Sequence, residues 1–353
     1  MKQIGVGILG FGTVGAGVAD GLLKHREVMA KRLGVDIVLK KIADLDITTD
    51  RGIAVPAGIL TTDAAAVIAD GDIQIVVETI GGTGIARKFV LDALNAKKCV
   101  VTANKKLLAE YGKEIFDTAA ANGVDIYFGA SVGGGIPIIR VLREGLAGND
   151  IESIHGILNG TCNYILTRME NEGLPFDVVL KDAQKLGYAE ANPSLDIDGF
   201  DTAHKACILA ALAFGFQPRI DQVQVEGIRN LAGEDVKYAA DFGYRIKLLA
   251  VVARHDDEVE VGVHPTLVPF THMLSKIVQC VCRNLISIAF LRQMMVNQES
   301  VPDEKTAQDN KRIIVACFFQ ILRQSEDSPE TGIMLTDDTV PENRRCHIVD
   351  VLS

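Results

Sequence analysis

The feature that most constrains the fold is the run IGVGILGFGTVG at residues 4–15. Its first six residues predict a β-strand, and the pattern Gly-x-Gly-x-x-Gly follows at once, ahead of a helical periodicity over about residues 14–32. In such a turn Gly10 permits the tight bend, Gly12 leaves room for a pyrophosphate, and Gly15 allows close packing of helix on strand. The run therefore predicts a dinucleotide-binding turn.

Strands and helices alternate through the first 131 residues. This alternation predicts an α/β fold, with an N-terminal Rossmann-type doubly wound parallel sheet over residues 1–131. Beyond the first strand, strands are predicted at 35–44, 73–81, 99–104 and 124–131, and further helices near 85–97 and 105–122.

A change of domain is predicted at SVGGGIPII, residues 131–139, because three consecutive glycines suit a loop in which backbone approaches another group closely. The sequence from 132 to 270 predicts an α+β domain with a mixed or antiparallel sheet. It contains a strong helical pattern over 200–215 and a hairpin pattern over 244–269.

The last segment, residues 271–353, forms a tail of unassigned structure. It holds four of the seven cysteines and includes polar, turn-rich stretches. Two apolar segments within it, 273–291 and 313–322, are compatible with helices.

Charge and composition exclude several classes of protein. The 46 acidic residues outnumber the 36 basic ones, and the net charge of −10 opposes a role in nucleic-acid binding. No apolar run is long enough to predict a transmembrane helix, and the N-terminus is interpreted as a first strand, not a signal peptide. The scattered cysteines lack CxxC spacing and indicate free thiols in a reducing cytoplasm.

Ligands of parallel α/β sheets bind at the carboxyl ends of the strands, where several glycines and polar residues lie. Gly81 and Gly82 end the strand VVETIGG, and Thr102 and Lys105 lie in TANKK after the next strand. The predicted cofactor-binding residues are Gly10, Phe11, Gly12, Thr13, Val14, Gly15, Asp44, Gly81, Gly82, Thr102 and Lys105.

The residues at the end of the second strand do not decide whether the nicotinamide cofactor is NAD or NADP. Asp44 can accept hydrogen bonds from ribose hydroxyls, which favours NAD. Lys40 and Lys41 can instead meet a 2′-phosphate, which favours NADP, or can be solvated edge residues.

Seven motifs, read in order, resemble homoserine dehydrogenases over residues 4–269. They are GILGFGTVGAGV, VVETIGG, VVTANKKLLA, GASVGGGIPII, GILNGTCNYILTRM, GYAEANPSLDIDGFDTAHKACILA and GYRIKLLAV with VHPTLVP. The resemblance implies reversible reduction of L-aspartate 4-semialdehyde to L-homoserine by NAD(P)H, on the route to threonine, methionine and isoleucine. It also implies a homodimer, in which the α+β domain over residues 132–270 binds substrate and dimerises.

The same resemblance implies roles for single residues. Lys105 and Lys205 match the two active-site lysines. Residues that match the substrate site are Gly160, Thr161, Glu190, Asp196 and Asp201. The residue types suit the chemistry, since a cation and proton donor stabilises charge on an aldehyde oxygen, and carboxylates bind an amino acid's ammonium group. Asp201 and Lys205 are spaced i,i+4 and share one helix face. Asp198 has no role and is expected to be solvated.

The chain departs from the family pattern in two places. The family often carries a Glu before the glycine-rich loop that binds a cation, and here that position is Gly129. Loop carbonyls of Val132, Gly134 and Ile136 remain as possible ligands, so a weakened or absent cation site is expected.

The second departure is the tail, 271–353, which does not match the family and leaves a catalytically impaired, nucleotide-binding relative as the alternative. A thiol-dependent semialdehyde dehydrogenase is a further alternative, but Cys162 is expected to fill a small packed position.

Overall fold

The computed structural model describes residues 1–278 and 312–315. The described residues form two compact units. The first contains 1–150 and 207–221, and the second contains 151–206, 222–278 and 312–315. The domain boundaries predicted at residues 131 and 270 stay predictions.

The first unit is built on a six-stranded sheet in the order β3-β2-β1-β4-β5-β6, with every neighbouring pair parallel. The strand order reverses between β1 and β4, and in such sheets ligands bind at the carboxyl ends of the strands beside that reversal. The strands are Gln3–Leu9 (β1), Asp36–Ala43 (β2), Leu60–Thr61 (β3), Ile75–Glu78 (β4), Cys99–Thr102 (β5) and Ile126–Tyr127 (β6). The predicted Rossmann-type sheet is confirmed.

Helices connect these strands. They are Thr13–Lys24 (α1), Arg26–Leu33 (α2), Ala64–Ala69 (α3), Ile85–Asn95 (α4), Lys105–Asn122 (α5) and Ile138–Arg140 (α6), which continues as a π-helical turn over Val141–Gly145. The single helix predicted near 14–32 is two helices, because the backbone of His25 leaves the helical region (φ −106°, ψ 11°). Gly34 ends the second of them in the left-handed conformation (φ 70°), which glycine adopts without strain.

The second unit contains a mixed five-stranded sheet in the order β11-β7-β9-β10-β8. Its strands are Ser153–Gly156 (β7), Gln224–Val225 (β8), Tyr244–His255 (β9), Glu258–Pro269 (β10) and Arg312–Val315 (β11). The antiparallel pair β9 and β10 confirms the predicted hairpin, and its two-residue turn places Asp256 at φ 52°. The helices are Gly160–Glu172 (α7), Phe176–Lys185 (α8), Ser194–Ile197 (α9), Phe200–Phe214 (α10) and Gly233–Asp241 (α11). Helix α10 belongs to the second unit up to Ala206 and to the first unit from Cys207 onward.

The start of the tail differs from the helix predicted over 273–291. Met273–Lys276 forms a single 3-10 turn, and most of the remaining prediction lies outside the described residues. Two basic side chains of β9 account for the difference by binding backbone carbonyls there. Arg245 Nη1 donates to the carbonyl of Ser275 (3.0 Å), and Lys247 Nζ donates to that of Ile277 (2.5 Å). Residues 312–315, which fall at the start of the second predicted tail helix, form β11 instead.

Among the described helices, none has both the length and the apolar character needed to cross a membrane.

Lys247 is an ammonium group buried inside the second unit, with 1% of the residue exposed. Besides the carbonyl of Ile277, its Nζ donates to Oδ1 of Asn163 on α7 (2.9 Å). Burial lowers the pKa of Lys247 to about 8, with a smaller opposing effect of the Glu170 carboxylate. The folded state therefore holds this proton less tightly than the unfolded chain does.

The lowered pKa of Lys247 predicts that the stability of the protein depends on pH. Because its pKa is about 8 in the folded protein and 10.5 for an ordinary lysine in the unfolded chain, the free energy of unfolding should rise by about 3 kcal/mol as pH increases from 8 to 10.5. Chemical denaturation of the wild type and of Lys247→Met across this range isolates the effect, since the variant cannot titrate there. Parallel pH profiles for the two proteins would contradict the prediction.

Candidate functional site

A different structural feature explains why glycine occupies each of the three positions of the first turn. Gly10 has φ +99°, and a Cβ there would lie 2.8 Å from the backbone carbon of Thr79. A Cβ on Gly15 would lie 2.0 Å from the carbonyl oxygen of Gly10. Gly12 differs, because no atom lies within 4 Å of the position its Cβ would take. The open space is therefore at the position predicted for pyrophosphate approach.

The start of α1 is also suited to binding an anion. Gly12 is its N-cap and gives no side-chain hydrogen bond, so the first backbone N–H groups, from the exposed Thr13 onward, can meet an anion. Phe11 is buried in the apolar core, and Val14 packs against that core. The backbone N–H of Phe11 donates to Oδ2 of Asp44, and Oδ1 of Asp44 accepts from Asp46 N (2.8 Å).

Glu78, the last residue of β4, is a fully buried carboxylate that the sequence analysis missed. Its Oε1 accepts hydrogen bonds from the N–H groups of Ile80 (2.8 Å) and Gly81 (2.9 Å). Its Oε2 accepts one from the hydroxyl of Thr102 (2.6 Å), and that hydroxyl accepts one from Asn104 N (2.9 Å). One carboxylate thus joins the loops that follow β4 and β5, and Thr102, fully buried, supports them from inside.

Asn104 completes the connection between these loops. Its Nδ2 donates to the carbonyl of Gly82 (2.7 Å), and its Oδ1 caps α5 by accepting from Leu107 N (3.1 Å). Lys105, half-buried, is therefore held at the start of α5, at the carboxyl end of β5. Gly81 and Gly82 have positive φ, and no atom lies within 4 Å of the Cβ position of either residue.

In the second unit, the buried carboxylate of Asp201 is the centre of a polar cluster. Its Oδ2 accepts hydrogen bonds from Nζ of Lys205 (2.6 Å) and Nδ2 of Asn159 (2.9 Å). Asn159 Nδ2 also donates to Oδ1 of Asp196 (2.7 Å), and Lys205 Nζ also donates to the carbonyl of Leu158 (2.6 Å). Lys205 has three donors and uses two of them within the described residues, so one N–H can bind an acceptor.

Asn159 was also missed by the sequence analysis, which singled out the two residues after it. Its Oδ1 caps α7 by accepting from Cys162 N (2.8 Å), while its Nδ2 holds the two aspartates. Asn is a favoured N-cap residue, and this local signal was present in the sequence at NGT. Its partners 37 and 42 residues further along were not predictable from it.

The remaining predicted substrate residues surround the start of α7. Gly160 is its first residue, and Thr161 donates from its hydroxyl to the carbonyl of Tyr188 (2.8 Å). Glu190 lies further along that loop, where its backbone carbonyl accepts from Nε2 of Gln184 (3.0 Å). Its side chain is exposed and makes no contact with the Asp201 cluster among the described hydrogen bonds. The structure therefore brings Asp196, Asp201 and Lys205 together and leaves Glu190 apart.

Two residues of this region have structural roles. Asp198, expected to be solvated, binds Arg229 in a bidentate pair (2.7 and 2.9 Å), and this guanidinium keeps the pKa of Asp198 below its usual range. Cys162 is fully buried, and burial raises the pKa of its thiol well above the usual value. Its Sγ donates to the carbonyl of Asp196 (3.2 Å), so it is placed as a packed thiol and not as a nucleophile.

The glycine-rich loop at which a weakened or absent cation site is expected supplies only part of the donor set that a cation needs. Gly129 supplies no carboxylate, and the carbonyl of Ile136 already accepts from Ile138 N (2.9 Å). In the described part of the chain no three His, Cys, Asp or Glu residues form a group that could hold a metal ion. The carbonyls of Val132, Gly134 and Ile136 without a carboxylate fit a tightly held cation poorly.

Comparison with known proteins identifies relatives of both units. A model described as "Homoserine dehydrogenase, NAD binding domain" matches residues 10–129, and one described as "Homoserine dehydrogenase" matches residues 137–309. The second match extends 40 residues beyond residue 269, where the motifs end. The expectation that the family match ends before residue 271 is therefore wrong for residues 271–309.

Individual relatives agree with these models. The chain is 48% identical over 277 residues to the homoserine dehydrogenase of Neisseria gonorrhoeae and 44% identical over 277 residues to that of Bacillus subtilis; each match covers 78% of this chain. The chain spans only 63% and 64% of the length of those two proteins. The crystal structure of a homoserine dehydrogenase from Thiobacillus denitrificans matches with 43% identity and a TM-score of 0.78, covering 83% of this chain and 72% of that one.

The contrast between Gly10 and Gly12 yields a prediction. Gly12→Ala should leave the melting temperature nearly unchanged, because its φ of −69° and open surroundings accept a methyl group. It should weaken dinucleotide binding, measured by calorimetry, at least ~10-fold, because the methyl group fills the space for the pyrophosphate. Gly10→Ala is the opposite case and should lower the melting temperature, with strain of about 1–3 kcal/mol. The prediction fails if the two variants melt at the same temperature.

A second prediction concerns the Glu78 network. Thr102→Val keeps the shape but removes the hydroxyl, which leaves Glu78 Oε2 and Asn104 N short of a partner. Unfolding in urea should show a loss of about 1–3 kcal/mol. Thr102→Ser keeps the hydroxyl and serves as the matched control. Equal stability of Thr102→Val and Thr102→Ser would show that the hydroxyl does not hold these loops.

Proposed function

Because the chain belongs to the homoserine dehydrogenase family, we propose that it catalyses the reversible reduction of L-aspartate 4-semialdehyde to L-homoserine with NAD(P)H. The observation that carries this proposal is the buried cluster of Asn159, Asp196, Asp201 and Lys205, in which an ammonium group keeps one donor for a ligand. An aldehyde and an amino acid need a proton donor and carboxylates, and this cluster supplies both.

The glycine-rich turn is proposed to bind the cofactor. The open space at Gly12 and the uncapped start of α1 suit a pyrophosphate, and Gly81 and Gly82 leave open space at the end of β4. The bound nicotinamide supplies or accepts the hydride. Lys105, at the carboxyl end of the neighbouring strand β5, is proposed as a catalytic lysine.

Lys205 is proposed to act at the carbonyl oxygen. Negative charge develops on that oxygen as hydride reaches the aldehyde carbon, and an ammonium group stabilises it and donates the proton. The carbonyl of Leu158 and the carboxylate of Asp201 fix two of the N–H groups of Lys205, so its nitrogen is held in place before substrate binds. In the reverse direction the same nitrogen accepts the proton of the homoserine hydroxyl.

The carboxylates are proposed to bind the ammonium group of the substrate. Asp201 is already paired with Lys205, so the charges for this task are those of Asp196, at the edge of the cluster, and Glu190, which is exposed. Gly160 and Thr161, at the N-terminus of α7, are proposed to line the same site, where free N–H groups suit the α-carboxylate.

We further propose that the protein is a cytoplasmic homodimer. Three described cysteines, Cys99, Cys162 and Cys207, are unpaired thiols, which suits a reducing compartment. An apolar groove between α11 and the hairpin of β9 and β10 supports association with a second copy. Tyr238 and Phe242 are 60% and 77% exposed beside it.

Replacing Lys205 tests its proposed role as the proton donor. Lys205→Ala should reduce homoserine-dependent NAD(P)⁺ reduction at least ~10²-fold, the low end of the effect of a positioned acid–base group. Lys205→Arg keeps the positive charge beside Asp201 but does not release a proton at neutral pH, so it should keep most of the stability and lose the activity. Lys185→Ala, which removes a 77% exposed lysine from the same unit, is the matched control.

Wild-type rates in Lys205→Arg would contradict the role of Lys205 as proton donor. Activity lost equally in Lys185→Ala would show that the assay reports on general damage to the unit. Thermal melting of all three variants separates loss of chemistry from loss of folding.

A further inference from the structure

Helix α5, which begins at Lys105, is kinked. At Tyr111 the backbone leaves the helical region (φ −127°, ψ 15°), so residues 105–110 form a short first segment before the kink. The helix contains no proline. A kink without proline commonly arises where a side chain or a water enters the backbone hydrogen bonds of the helix. The structure contains such a side chain beside this kink.

That side chain belongs to Gln217, which follows the end of α10 and lies in the same unit as α5. Its Nε2 donates a hydrogen bond to the backbone carbonyl of Ala109 (2.9 Å), two residues before the kink. Because a carbonyl only accepts hydrogen bonds, the amide nitrogen of Gln217 must face it. Gly215, with φ 73°, ends α10 in the left-handed conformation, which fixes how the chain that carries Gln217 leaves that helix.

Gly112, directly after the kink, leaves room for this amide. A Cβ at residue 112 would lie 2.6 Å from Oε1 of Gln217, well inside van der Waals contact. Glycine is otherwise unfavourable within a helix, because it loses more conformational freedom there than alanine does. This position therefore carries a residue that weakens the helix but permits the contact with Gln217.

The two sides of the kink are held by different groups. Arg87 of α4 lies over the ring of Tyr111, with Cζ 4.3 Å from the ring centroid, and forms a bidentate pair with Glu114 (2.7 and 2.8 Å). These contacts hold the kink residue and the turn after it. The first segment is held by Asn104 at its start and by Gln217 near its end.

The direction of the first segment decides where Lys105 lies. Residues 105–110, at about 1.5 Å per residue, make a rod about 9 Å long with Lys105 at the end away from the kink. A tilt of about 10° at the kink would therefore move that end by about 1.5 Å. Displacements of about 1 Å can lower a catalytic rate strongly, because the reacting groups must be closely aligned.

From these contacts we propose that Gln217 is a positioning residue for Lys105. Its amide holds the carbonyl of Ala109, keeps Tyr111 out of the helical conformation and so sets the direction of the segment that begins at Lys105. The inference rests on the proposed function, in which Lys105 is a catalytic lysine. Gln217 acts through Lys105 and is not itself proposed to touch the substrate.

Crystal structures of the wild type and of Gln217→Leu test the geometry without any measurement of activity. Leucine keeps much of the side-chain volume but cannot donate to the carbonyl of Ala109. Tyr111 should then adopt helical φ and ψ, and the Cα of Lys105 should move by about 1 Å or more. An unchanged kink with Lys105 in place would overturn the proposal.

Steady-state kinetics of homoserine oxidation test the consequence for catalysis. Gln217→Leu should lower kcat at least ~10-fold. Gly112→Ala should give the same loss with a nearly unchanged melting temperature, because the methyl group displaces the Gln217 amide while alanine favours the helix. Arg219→Ala, which removes a 69% exposed side chain two residues after Gln217, is the matched control and should keep the wild-type rate.

The same substitution in a Lys105→Ala background separates positioning from general damage. If Gln217 acts through Lys105, adding Gln217→Leu to Lys105→Ala should change the rate by less than about threefold, because the two residues act as one unit. An undiminished ~10-fold loss in that background would assign Gln217 a structural role alone and overturn the proposal.

The outcomes also distinguish this inference from the proposed function. Wild-type rates in Gln217→Leu together with a slow Lys105→Ala would overturn only the positioning role of Gln217. Full activity of Lys105→Ala would overturn the catalytic role of Lys105 and the positioning role with it. An inactive wild type would contradict the proposed function, and the two crystal structures would still decide whether Gln217 directs the first segment of α5.

Discussion

The buried carboxylate of Asp201 is the constraint on which the candidate active site depends. A charge 3% exposed is stable in a protein interior only when paired and hydrogen-bonded, and here Lys205 and Asn159 meet that requirement. The same two bonds hold Nζ of Lys205 beside Asp201, one turn earlier on α10, and hold Asn159 at the start of α7. Both groups are thus positioned by the need to satisfy one charge, before any ligand is present.

The nucleotide-binding unit solves a similar problem with Glu78. This buried carboxylate lies at the end of β4 and is satisfied by three donors, two from the loop that follows β4 and one from Thr102 at the end of β5. The loop that carries Gly81 and Gly82 and the start of α5, which carries Lys105, are therefore held by hydrogen bonds separate from those of the glycine-rich turn. In each unit, a buried acid organises the chain segments around a site, while the residues proposed to meet ligands are less buried.

Much of the fold could be predicted from the sequence, because it depends on local patterns. The strand and helix patterns located five of the six strands of the first sheet, all but β3, together with the helix from Lys105 to Asn122 and the hairpin of β9 and β10. Predictions failed where distant side chains decide the backbone. Arg245 and Lys247 bind carbonyls at 275 and 277, which a local helical pattern could not reveal.

In the candidate site, too, local spacing could be predicted from the sequence and contacts between distant residues could not. The i,i+4 spacing of Asp201 and Lys205 is local and gives the observed ion pair. Glu78, Asn159 and the partner of Asp198 depend on contacts between residues 24 to 42 positions apart, so composition and spacing do not reveal them.

A crystal structure of the chain with L-homoserine bound would test the central claim most directly. The account predicts the homoserine hydroxyl within hydrogen-bonding distance of Lys205 Nζ, with Lys205 still bound to Asp201 and to the carbonyl of Leu158. It also predicts the substrate ammonium beside Asp196 or Glu190. Homoserine bound with its hydroxyl away from Lys205, or with Lys205 released from Asp201, would contradict it.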